Sequence, residues 1–495
     1  MTKQAVKLDQ LPKGWTTTTV AAIGKVVTGT TPSKACSEYY GDDYPFFKPT
    51  DLNYGYYVKA SNDKLSKLGV EQARLLPEKT IMVTCIGATI GKTGLTRSPG
   101  ACNQQINAIV VKNVISPEFI YFMCIAPQFQ KSILEKASAT TLPIINKSKF
   151  ERLPISLAPL REQVRLVNRI EELFSFLDAG TESLRKVQVQ LKRYRQAVLK
   201  YAFDGKLTED WRRAHKDQIE SAQKALERAS LQFSKKQNTQ TKPENGSEIS
   251  VLPDGWVHAR LENFIYIAGR IGWRGLKADE YTEDGPLFLS VYNLNKGNIV
   301  DISETYHISE ERYSESPEIQ LRNDDILLAK DGAGIGKIGI VQGLTVKATV
   351  NSSLLVIRSG LAFKSKFLFY FFKGPRMQEL VKSRITGSAT PHLFQRDIRK
   401  FDLLIPPLLE QEQIIAEIES RFSVVDQVEN IGRMSVKQAG HLRQTILKDA
   451  FEGKLVPQDS NDQPAEELLE CVKAECLSNR NSKSNNQLEL SRYVK

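Results

Sequence analysis

YRQAVLKYAFDGKLT, residues 194–208, is written a second time at 442–456 as LRQTILKDAFEGKLV, identical at 9 of 15 positions with an offset of 248. Outward from this pair, other landmarks recur in the same order. Leu11-Pro12-Lys13-Gly14-Trp15 returns as Leu252-Pro253-Asp254-Gly255-Trp256, and Gly87-Ala88-Thr89-Ile90-Gly91-Lys92 as Gly332-Ala333-Gly334-Ile335-Gly336-Lys337. Pro159-Leu160-Arg161-Glu162-Gln163 returns as Pro407-Leu408-Leu409-Glu410-Gln411. The offset drifts by only seven residues, from 241 to 248. A fixed order at a near-constant spacing is an internal duplication. Each half holds a globular module followed by a helical segment. The modules share their bounding motifs but little sequence between them, as if one frame carried two dissimilar inserts and two different readers.

The modules read as α+β. TIMVTCIGATIGKTGL (80–95) and DDILLAKDGAGIGKIGIV (324–341) are β-branched runs broken by glycine turns, and NQQINAIVV (103–111) and NSSLLVIR (351–358) are further strands. Pro117–Leu134 and Phe367–Ile385 read as single amphipathic helices. After Pro159, apolar residues recur at Leu160, Val164, Val167, Ile170, Phe174 and Leu177. Beyond Gly180, expected to break or kink the rod, a heptad seam runs through Leu184, Val187, Leu191, Tyr194, Val198 and Tyr201. The second copy repeats the pattern at Ile415, Ile418, Phe422, Val425, Leu442 and Ile446. A continuous helix over 160–203 spans about 66 Å. The expected architecture is two globular domains separated by two long antiparallel helices, with internal pseudo-twofold duplication. The boundaries read as 1–158 and 251–406 for the modules, 159–206 and 407–456 for the helical spacers, 207–250 for a helical and polar linker, and 457–495 for a polar, frayed tail.

At 495 residues the chain exceeds one ordinary core. Lys and Arg outnumber Asp and Glu 68 to 57, a formal charge of +11. The excess is uneven: residues 1–158 carry 19 basic and 11 acidic side chains, 181–250 carry 15 and 9, 251–406 carry 20 and 18, and 407–495 carry 11 and 15. A phosphate-binding surface fits the first module and the linker. Six cysteines without CxxC spacing read as reduced thiols, and no zinc pattern is present. The N-terminal MTKQAVKLDQ lacks the apolar run of a signal peptide, and FLFYFF at 367–372 is too short to cross a bilayer, so a cytoplasmic protein without a membrane partner is expected.

The glycine-rich hairpins place three residues between their glycines, where a nucleotide-binding Walker loop needs four. No nucleophile elbow, zincin motif or acidic metal cluster stands out, nor the Asn-Pro-Pro-aromatic tetrapeptide of amino-methyltransferases. The chain therefore reads as a binding protein with no catalytic residues and no metal. Side chains able to read base edges gather near the repeated motifs. In the first module they are Lys48, Thr50, Asn53, Tyr54, Lys92, Arg97, Asn103, Gln104, Gln105 and Thr140. In the second they are Arg270, Arg274, Tyr292, Asn293, Asn295, Lys330, Lys337, Asn351, Ser388 and Thr390.

The paired LPxGW openings, GxxxGK hairpins, P-L-x-E-Q helix entries and AF-[DE]-G-K-L closings resemble the specificity subunit of a type I restriction–modification system, over about 11–456. The resemblance implies two target recognition domains, each reading one half of a split double-stranded DNA site. The helices would form an antiparallel coiled coil that docks two methyltransferase (modification) subunits, joined by restriction subunits that translocate and cleave. S-adenosylmethionine, ATP and magnesium would sit on those partners and none on this chain. Two other readings are a stand-alone architectural DNA-binding protein that dimerises through its helices and an enzyme, for instance a small-molecule transferase using the glycine loops.

Overall fold

The computed structural model describes residues 11–138, 142–232, 252–270, 276, 280–386 and 391–473. The chain forms two compact units, one from Met1–Leu184 with Arg433–Lys495, the other from Arg185–Gly432.

In the first unit the strands are β1 Thr16–Thr19, β2 Gly24–Thr28, β3 Tyr40–Phe47, β4 Asp63–Leu65, β5 Ile81–Thr84, β6 Thr93–Leu95, β7 Ala101–Cys102, β8 Ile106–Val111 and β9 Pro154–Leu157. They pair as an antiparallel sheet β2-β8-β5-β6, a mixed sheet β4-β3-β7 and a ribbon β1-β9. All four residues of β5 are buried, because both faces are covered. Ile81 and Val83 point toward a core shared with helix α1 (Pro117–Ile125), while Met82 packs with Phe47, Cys102 and Ala108. The two-residue alternation of a strand thus feeds two cores. In α1 the run Phe119–Cys124 is buried all round, wedged against the long helix α2 (Leu160–Phe203), with the Phe122 and Phe174 rings 5.9 Å apart.

The second unit repeats this plan. Its strands are β10 Val257–Arg260, β11 Ile265–Gly269, β12 Tyr281–Leu289, β13 Tyr306–Ile308, β14 Ile326–Ala329, β15 Ile338–Ile340, β16 Ala348–Val350, β17 Leu354–Ser359 and β18 Asp402–Ile405. The sheets β11-β17-β14-β15 and β13-β12-β16 and the ribbon β10-β18 match the first unit strand for strand. Helix α3 (Ser365–Lys373) buries Phe367–Phe372, so FLFYFF is a core helix. It meets α2 through Phe203 and Phe367, 5.2 Å apart, and a second long helix, α4 (Leu408–Phe451), through Tyr370 and Phe422, 5.9 Å apart. The inserts that looked dissimilar share one fold; the sequences diverge while the strand pairing and the fully buried central strands β5 and β14 are kept.

Each unit holds one piece of α2 and one of α4, running antiparallel. In the first, Asp178 pairs with Arg443, whereas the earlier Arg165 meets Asp462, beyond the end of α4, at 2.5 Å. In the second, Arg195 meets Asp426 at 2.6 Å and Glu429 at 3.0 Å, and the later Thr208 meets Glu410. Three repeated motifs converge there. In the second unit, the Glu410 carboxylate of the helix entry accepts from Trp256 Nε1 (2.8 Å) of the LPxGW opening. It also accepts from Thr208 Oγ1 (2.7 Å) and Arg212 Nη1 (3.1 Å), just past the end of α2. Gln411 donates to Ala362 and Pro406 carbonyls and accepts from Lys364 N, tying α4 to the module. Gly205, at φ +75°, ends α2 with Lys206 N bonded to the Tyr201 carbonyl, and a Cβ there would stand 2.6 Å from Pro253 Cγ. In the first unit Gln163, Gly453 and Pro12 act in the same way. Trp15 and Glu162 stand where the second has Trp256 and Glu410, but Trp15 Nε1 and Glu162 Oε1 are buried without a hydrogen-bond partner among the described residues, and Val456 and Ser460 stand where the second has Thr208 and Arg212.

Several sequence expectations change. Pro117–Leu134 is two helices, Pro117–Ile125 and Pro127–Lys136, because proline forces Ala126 into an extended conformation. Phe367–Ile385 likewise divides at Gly374 into Ser365–Lys373 and Pro375–Thr386. Gly180 interrupts nothing: α2 is continuous through it, since one glycine costs only about 1 kcal/mol relative to alanine. The late seam of α2 is rotated. Val187, Tyr194 and Tyr201 are exposed, and Arg195 takes the inward place, its guanidinium 5.1 Å from the Phe422 ring between two α4 carboxylates. The tail is not wholly frayed: residues 465–473 are helical, with Ala465 and Val472 buried in the first unit's core. In the second unit Ala222, Leu226 and Ala229 of the linker helix Ala222–Gln232 are buried likewise. Among the described residues, no helix is long and apolar enough to cross a membrane.

Candidate nucleic-acid interface

In each unit the glycine hairpin gathers two other loops at one end of the four-stranded sheet. In the first, the tip follows β5: Cys85 N donates to the Gln105 carbonyl at 2.7 Å, Ile145 N to Cys85 at 2.9 Å, and Gly87 N to Pro143 at 3.0 Å. The segment after β2 joins them, with Thr30 N on the Cys102 carbonyl at 3.0 Å and the Thr31 hydroxyl on Gln104 Oε1. Asn103 N donates to the Phe47 carbonyl at 3.1 Å, which brings in the turn after β3. In the second unit Lys330 N reaches the Ser353 carbonyl at 2.9 Å, Leu393 N reaches Lys330 at 2.9 Å, and Asn351 N reaches Leu289 at 2.8 Å. The segment after β2 and the loop around Pro143–Ile145 were missed in the sequence; the polar run TGTTPS at 28–33 was the available signal.

The candidate side chains divide. Gln104 is exposed and Gln105 half-buried at the three-loop end, and Thr50 and Asn53 are exposed on the turn that packs against β6. Lys48 is half-buried and ion-paired with Asp63. Lys92 lines a small cleft with Thr89, Gln130 and Gln444. Arg97 is elsewhere: it follows β6 at the far end of the hairpin, its guanidinium 3.2 Å from the centre of the Tyr57 ring. In the second unit Lys337 Nζ donates to Asn295 Oδ1 at 2.7 Å, and exposed Tyr292 donates to Glu304 at 3.1 Å. Lys330 lies beside Asp331, which pairs with His392. Burial, and then nearby Arg312, lowers the pKa of Arg270 at the end of β11.

Three asparagines serve the loops themselves. Asn293 is buried, accepting from Ser290 N and donating to the Asp301 and Glu304 carbonyls. Buried Asn103 accepts from Gln105 N at 3.2 Å, and Asn351 accepts from Ser353 N at 3.1 Å, the same side-chain turn in both units. Thr140, Arg274, Ser388, Thr390 and the side chain of Tyr54 lie outside the described residues.

The profile of the type I restriction modification DNA specificity domain matches twice, over residues 12–189 and 253–432. The chain belongs to this family. It is 24% identical over 491 residues to the EcoKI specificity subunit of Escherichia coli, covering 94% of this chain and 96% of that one. The HindI specificity subunit of Haemophilus influenzae is 33% identical over 162 residues, 32% of this chain and 35% of its own. A solved chain described under complex assembly and conformational transition of the type I R-M system superposes with a TM-score of 0.62 at 16% identity, covering 90% of this chain and 99% of that chain. The family match bounds each module together with the first part of the long helix that follows it.

Proposed function

We propose that this chain is the DNA-recognition subunit of a type I restriction–modification complex, reading a bipartite target and performing no catalysis itself. The observation that carries the reading is one loop-bearing frame built twice. The backbone bonds around the hairpin tips are conserved between units, whereas the side chains they carry differ, Gln104 and Gln105 against Ser352 and Ser353. Each module would read one half of the target through base-edge contacts, with lysines and arginines on phosphates supplying affinity and register. The long helices, 44 residues each, would set the gap between half-sites and carry two modification subunits. Restriction subunits would complete the assembly; S-adenosylmethionine, ATP and magnesium would be held by the partners. The test is to exchange residues 252–406 for those of a relative and sequence the host methylome. One half of the methylated motif should change; a change in both halves refutes modular reading.

A further inference from the structure

The turn Asn103–Gln105 settles which way one reading side chain faces. A backbone N–H can only donate, so the Asn103 atom 3.2 Å from Gln105 N is its oxygen. The other atom of that amide, Nδ2, can only donate, and it lies 2.9 Å from the Gln105 side chain, so the Gln105 atom there is Oε1. Gln105 Nε2 is thereby turned toward the hairpin tip, 4.0 Å from where a Cβ on Gly87 would stand. The Gln105 main chain is also fixed, its carbonyl bonded to Cys85 N at 2.7 Å. Gln104 has no such fixed sense, because its partner is the Thr31 hydroxyl, which can donate or accept.

Resting on the function proposed above, we infer that Gln105 is a specificity-determining residue of the first module, which offers an NH2 donor to a base edge, with Asn103 as the positioning residue that sets its polarity. A free glutamine grips adenine with both its oxygen and its nitrogen. Here the oxygen is engaged within the turn, so the side chain favours a base presenting an acceptor in the major groove, guanine or thymine, or adenine through N7 alone, and disfavours cytosine. The second unit keeps the turn at Asn351 but places Ser353 where the first has Gln105, so this rule applies to one half-site alone.

Asn103→Asp is the informative change. An aspartate still accepts from Gln105 N, so the turn persists, but its second oxygen now accepts where the amide donated. Gln105 should flip, present its oxygen, and favour a donor-bearing base, adenine or cytosine, at the same position. Gln105→Ala, which leaves the turn alone, should relax that position by on the order of tenfold in discrimination. The full chain is expressed with its modification and restriction partners and the methylome sequenced. The expected result is one altered base, the same in both variants, with the other half-site and the gap unchanged. A wild-type chain that directs no bipartite methylation sinks the function proposed above and this inference with it. A wild-type motif left intact by Gln105→Ala, or altered at different bases by the two variants, overturns this inference alone.

Discussion

Replacing Arg212 with methionine removes one of three donors to a carboxylate held wholly out of water. The Glu410 side chain has no exposed surface, and among the described residues Arg212 is its single cationic hydrogen-bond partner beside the neutral Thr208 and Trp256. Methionine retains the apolar stem beside the Trp256 ring, 5.5 Å from the guanidinium carbon, so lost packing is minor. What remains is a buried charge stripped of its partner, which costs about 3–5 kcal/mol. In a unit of this size each kcal/mol lowers Tm by about 2–4 °C, so the second unit should melt about 6–20 °C lower near neutral pH. Burial raises the Glu410 pKa above its unfolded value. For a carboxyl shifted that way, the folded state is most favoured when it is protonated, and stability falls as pH rises through the folded pKa. The Arg212→Met deficit should therefore shrink in acid. Thermal unfolding followed by tryptophan fluorescence, with hydrogen exchange in β10 to assign the unit, reads both effects. Adding Glu410→Gln should recover most of the loss. A deficit below about 1 kcal/mol, or one equally large in acid and alkali, would refute the reasoning.

Three further outcomes follow from the same architecture. In the first unit, Oε1 of buried Glu162 has no hydrogen-bond partner among the described residues and burial raises its pKa, so Glu162→Gln should stabilise the unit increasingly as pH rises and do nothing in acid, as thermal shift will record. Gly453 sits at φ +70° with Pro12 Cγ 2.1 Å from any added Cβ; Gly453→Ala should cost about 2 kcal/mol or more in denaturant unfolding and expose β1 and β9 to hydrogen exchange. Matched heptad insertions, after Asp178 in α2 and before Arg443 in α4, add about 10.5 Å of helix, and the gap in the methylated motif should lengthen by about three base pairs with both half-sites unaltered.

The duplication was legible because its landmarks bear structural tasks that tolerate few residues: the tryptophan and glutamate that face each other, the glycine that ends each helix, the glutamine that stitches helix to module. The equivalence of the two modules was not legible, because a strand buried on both faces accepts any apolar side chain of about the right size. The rotated seam was hidden for a different reason. Periodicity counts apolar residues, but Arg195 fills an inward position with its stem and two ion pairs, and Tyr194 turns to solvent. Each proline break was written in the sequence and was outweighed by the helical pattern around it. At the candidate interface, residue type pointed to loops that backbone hydrogen bonds bring together, but could not separate asparagines that build a turn from glutamines that project from it. That distinction depends on which backbone N–H lies within reach.

The way the chain interleaves its two units bears on how it is made. The second unit is contiguous, from Arg185 to Gly432, so every residue of its core has been synthesised while the C-terminal part is still to come. The first unit begins earlier and finishes later. Its core waits for Ile446, Leu447, Ala450 and Phe451 on α4, then for Ala465 and Val472. On the ribosome, at about 5–20 residues per second, the module synthesised first must hold an open apolar seat through the synthesis of its counterpart. The birth order of the two readers is the reverse of their order of completion. A nascent chain stopped short of residue 446 should carry a native second unit and an unfinished first, the form in which a chaperone would find its client.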